Sequence, residues 1–71
     1  MNLYLQNITK LSPAARKMLI QIVRELCKLQ MSEAVKENGL EKMEEITLEM
    51  ISNGMMKLYR DGDIFWLETI E

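Results

Sequence analysis

The chain has 71 residues, a net charge of −2, and a composition that is 48% hydrophobic and 28% charged. That is the make-up of one globular domain and not of a disordered chain. One cysteine, Cys27, and no histidine exclude an internal disulfide, a Cys/His zinc site and a Cys–His nucleophilic pair.

No positively charged leader precedes a long apolar run at the N-terminus, as it would in a secretory signal. Nowhere do apolar residues run to the roughly 18 that a membrane span needs. The chain is therefore expected to work in the cytoplasm. Residues 1–11 read either as a short helix, from Tyr4, Ile8 and Leu11, or as an extended arm, from the alternation of Leu3 and Leu5. The domain proper is expected over residues 12–71.

Ser12-Pro13 is a helix start, with serine as the cap and proline at the first helical position, where a missing N–H costs nothing. Ala15, Leu19, Ile22, Val23, Leu26 and Cys27 then recur at helical spacing, with Met18 and Leu29 flanking the stripe. The first helix is expected over residues 13–28, with Leu29-Gln30-Met31 as an extended link. Ser32 caps a second, two-turn helix that Asn38-Gly39 stops. A third is expected over residues 41–53, burying Met43, Ile46, Met50 and Ile51 and ending at Asn53-Gly54.

Two strands follow, 55–59 and 64–68, joined at Asp61-Gly62, a dipeptide that suits a two-residue hairpin turn with positive φ at both central positions. That register pairs Tyr59 with Ile64, Leu58 with Phe65, Lys57 with Trp66 and Met56 with Leu67. Met56, Leu58, Phe65 and Leu67 then share the core face, and Lys57, Tyr59, Ile64 and Trp66 share the other. The seven methionines mostly fall at core-periodic positions, where they fill space between less flexible side chains.

The order helix, link, short helix, glycine turn, helix, glycine, hairpin resembles the winged helix-turn-helix family, in its small prokaryotic or viral type. The pattern lies in MSEAVKENGLEKMEEITLEMISNGMMKL. Gly39 stands where that family has the turn glycine before its third helix. Ile46 and Met50 stand eight and four residues before a second glycine, Gly54, and Met55 and Met56 open the first wing strand. The resemblance covers residues 12–68. It implies an α+β fold, a three-helix winged helix-turn-helix with a C-terminal β-hairpin wing. It also implies DNA binding, with the third helix in the major groove.

The charges oppose that implied function. The third helix carries Glu41, Glu44, Glu45 and Glu49 against Lys42 alone, whereas DNA affinity comes largely from cations that neutralise phosphates. Residues 1–31 have a net charge of +4 and residues 32–71 a net charge of −6. A regulatory or adaptor module working through protein contact is therefore the first expectation, and a DNA-binding transcriptional regulator the alternative. Protein-contact candidates are Glu41, Glu44, Glu45, Leu48 and Glu49 on the third helix, with Tyr59, Ile64 and Trp66 on the outer hairpin face. Nucleic-acid candidates are Lys10, Arg16, Lys17, Arg24, Lys28 and Arg60. The partner is expected to be another protein or a second copy. A domain this small buries only roughly 60% of its unfolded surface, so a homodimer is favoured. Asp61 and Asp63 are explained by the turn and the glutamates by a solvated helix face, so neither catalysis nor a cofactor nor a metal is expected.

Overall fold

The computed structural model describes the backbone of residues 2–5 and the whole of residues 11–70. Among these residues the elements in order are β1 (Asn2–Leu5), α1 (Pro13–Gln30), α2 (Ser32–Asn38), α3 (Leu40–Ser52), β2 (Met56–Asp61) and β3 (Ile64–Thr69). Three helices followed by an antiparallel hairpin make an α+β fold. β1 adds a third strand, in the order β1-β2-β3. The N-terminal arm, open between helix and extended chain, is thus extended over residues 2–5. It pairs antiparallel with β2, and one extra residue on β1 between Leu3 and Leu5 makes a bulge.

Ser12 caps α1 as expected: its hydroxyl accepts the Ala15 N–H at 3.2 Å, and Pro13 takes the first position. The helix runs two residues beyond the expected end and absorbs Leu29 and Gln30. Met31 alone links it to α2. Gln30 then finishes the joint. Its side-chain amide accepts the Leu67 N–H at 2.8 Å and donates to the Leu67 carbonyl at 3.0 Å. β3 is an edge strand, and this amide stands in for a neighbouring strand at that point. Ser32 is not a cap. It lies inside the first turn of α2, no side chain caps that end, and Met31 takes the cap position.

Gly39, at φ +92, ends α2 and begins α3 one residue earlier than expected. Asn53 caps the other end of α3. There the Met55 N–H reaches the Met50 carbonyl at 2.9 Å and the Gly54 N–H reaches the Ile51 carbonyl at 3.2 Å. This paired closure needs a left-handed residue at its centre, which Gly54 supplies at φ +75.

The hairpin register differs from expectation by two residues. Leu58 faces Leu67, Tyr59 faces Trp66, Arg60 faces Phe65 and Asp61 faces Ile64. Gly62-Asp63 is the centre of the turn, and only Gly62 has positive φ (+63). That places glycine first, as in a type II′ turn. A slip by an even number keeps every side chain on its expected face, so Met56, Leu58 and Leu67 are still buried. They close a core with Leu19, Val23, Leu26 and Cys27 of α1 and Ile51 of α3. Each large apolar side chain buried there contributes about 1.5–3 kcal/mol.

Candidate functional site

α3 is rotated relative to its expected placement. Its buried residues are Glu44, Thr47 and Ile51. Met43 and Met50 pack on the core from its edge, and so does Leu48, which was expected to be exposed. Ile46, expected in the core, is only half-buried and is not among the side chains packed against it. Apolar spacing misplaced this face because two of its inward residues are polar.

Glu44 is therefore no free contact residue. Its carboxylate accepts a hydrogen bond from Arg24 Nε at 2.8 Å, and its side chain is only 11% exposed. A carboxylate that far from water needs such a partner. Arg24 is committed by the same bond, although half of its side chain is exposed. Glu41, Glu45 and Glu49 remain on the solvent side of α3, at spacings of four, with Lys42 beside them. Residues four apart on a helix lie nearly one above another, so these three make an acidic line about 12 Å long.

Lys17, Arg24 and Lys28 form the matching line on α1, seven and four residues apart and all exposed. Lys28 also meets Glu25 at 3.3 Å, an exposed pair of small energetic weight. Arg24–Glu44 and Cys27–Thr47 join α1 to α3 with the same sequence offset of 20. The two helices therefore run in the same sense at the contact. A shallow cleft lined by Arg24, Glu41, Glu44, Glu45 and Leu48 marks the boundary between the basic and acidic lines.

Arg16 and Arg60, the other candidates among the described residues, lie off the line of Lys17, Arg24 and Lys28. Arg16 is exposed in the first turns of α1. Arg60 folds back on the hairpin turn, where its Nε donates to the Gly62 carbonyl at 2.7 Å and its guanidinium lies 5.6 Å from the Phe65 ring centre. Lys10 lies outside the described residues.

The hairpin candidates separate in the same way. Tyr59 and Trp66 are half-buried and stack on each other, with ring centres 5.7 Å apart and planes 15° from parallel. The Lys57–Trp66 pair expected from the earlier register is replaced by this stack. Ile64 is 67% exposed at the hairpin tip. It lines an open groove of about 490 Å³ with Met18, Ile22 and Leu29 of α1 and with Phe65, and among the described residues Glu25 and Asp63 are the charged ones in the lining. Sequence reasoning placed Met18 and Leu29 beside the core but did not join them to Ile64, because the juxtaposition exists only once β3 packs along α1.

Every glycine serves a turn or helix end, and among the described residues no group of three or more His, Cys, Asp or Glu side chains is placed to hold a metal ion. Likewise, no helix among them is long and apolar enough to cross a membrane. Comparisons with protein-family models, with curated proteins and with solved structures find no match.

Proposed function

We propose that this chain is a non-catalytic winged-helix module acting in the cytoplasm through protein contact, in a regulatory or adaptor role. The observation that carries the reading is the solvent face of α3. A helix meant for the major groove should present cations and hydrogen-bond donors. This one presents Glu41, Glu45 and Glu49 against Lys42. The one guanidinium at its border, Arg24, is engaged by Glu44. Exposed apolar side chains at Met18, Leu29 and Ile64 supply the kind of surface a protein partner covers.

Low ionic strength, where electrostatic attraction is least screened, gives DNA its best chance of binding. Titration of mixed-sequence duplex at low salt is expected to give no binding. Binding that weakens steadily with added salt would overturn the proposal in favour of a DNA-binding regulator, and Lys17 and Lys28 would become the phosphate contacts to mutate.

A further inference from the structure

The basic line of α1 and the acidic line of α3 lie side by side on one face. Such a face is complementary to itself. A two-fold axis lying in the interface, parallel to the boundary between the lines, exchanges left for right and sets each basic line over the other copy's acidic line. We infer that this face is the contact between two copies of the chain.

The inference rests on the protein-contact reading and gives it an occupant. It also carries a register. The axis preserves direction along the boundary, and the shared offset of 20 at Arg24–Glu44 and Cys27–Thr47 aligns α1 with α3. Lys28 of one copy then falls against Glu49 of the other, and Arg24 beside Glu45. Lys17 falls about one turn short of Glu41. Lys28 exchanges its exposed neighbour Glu25 for a carboxylate across the interface. Leu48, partly buried between the lines, is the apolar element at the centre. Exposed ion pairs are individually weak and fade with salt, so the dimer is a weak one that high salt dissolves.

Sedimentation velocity over a wide concentration range, at low and at high salt, reads the mass directly. The expected result is a concentration-dependent dimer at low salt that reverts to monomer at high salt. Lys28→Glu and Glu49→Lys should each abolish the dimer with the far-UV spectrum unchanged, because both side chains are exposed. The double variant Lys28→Glu/Glu49→Lys should restore it, and so should mixing the two single variants. A chain that stays monomeric at low salt overturns the inference. So does a dimer indifferent to salt and to both substitutions, which would place the contact elsewhere, such as the apolar groove of Met18, Leu29 and Ile64. A wild-type chain that binds no DNA yet remains monomeric defeats this inference alone. One that binds DNA defeats the reading beneath it.

Discussion

α1 and α3 are both amphipathic and lie against each other, yet they bury different chemistry. α1 turns Leu19, Val23, Leu26 and Cys27 inward, all apolar or nearly so. α3 turns in Glu44, Thr47 and Ile51. Among the described residues no buried side-chain nitrogen or oxygen lacks a hydrogen-bond partner, and α1 supplies partners for both polar residues: Arg24 to Glu44 and Cys27 to Thr47. A polar side chain can face inward wherever a neighbouring element meets it. The inner face of α3 is thus defined jointly with α1 and not by its own apolar period.

The sharpest way to test that difference is to truncate one residue in each helix. Leu19→Ala removes a side chain that is 1% exposed and should cost about 3 kcal/mol, a large share of the stability of so small a domain. Ile46→Ala removes one that apolar spacing assigns to the core but that does not pack there. It should cost about 1 kcal/mol or less. Urea unfolding midpoints of the two variants measure both. Equal losses would mean that α3 faces inward along its apolar stripe after all.

The same contrast explains what could be read from the sequence. Ser12-Pro13, Gly39 and Gly54 mark helix ends through local backbone chemistry, and each end lies within two residues of its expected place. The inward faces of α1 and of the hairpin were legible because both follow apolar periods. The hairpin's pairing was not, because Asp61-Gly62 and Gly62-Asp63 both suit a two-residue turn, and slipping by two leaves every side chain on its face. Glu44 and Thr47 were illegible in α3 because nothing in the helix itself names Arg24 or Cys27 as a partner. The site inherited that error. Glu44 is buried against Arg24 and offers no contact surface, while Glu41, Glu45 and Glu49 are exposed.

A smaller effect separates the two members of the ion pair. Arg24→Ala strands the Glu44 carboxylate in a setting 11% exposed, and should cost about 1–3 kcal/mol. Glu44→Met removes the buried charge and leaves a half-exposed guanidinium that water can hydrate, so the change should stay within about 1 kcal/mol. Combining the two in a double-mutant cycle isolates the coupling. If Glu44→Met were the costlier change, the pair would be holding α1 to α3 by attraction and not merely satisfying a carboxylate that packing has buried.

The smallest effect falls on Thr47, which is 1% exposed. Its hydroxyl lies 3.5 Å from Cys27 Sγ and donates toward Met31 Sδ at 3.7 Å. Sulfur is a weak donor and a weak acceptor, so these contacts return little of what burying a hydroxyl costs. Thr47→Val keeps the shape, discards the hydroxyl and leaves two sulfurs that lose little by being unpaired. It should be neutral, or stabilising by about 0.5 kcal/mol. Thr47→Ser keeps the hydroxyl, removes the methyl and should cost about 1 kcal/mol. The order of the two urea midpoints decides the matter. Valine above serine means that α3 contributes a methyl group at this position and that its polarity is tolerated. Serine above valine means that the Cys27–Thr47 contact, one turn from the Arg24–Glu44 bond, helps to orient α3 against α1.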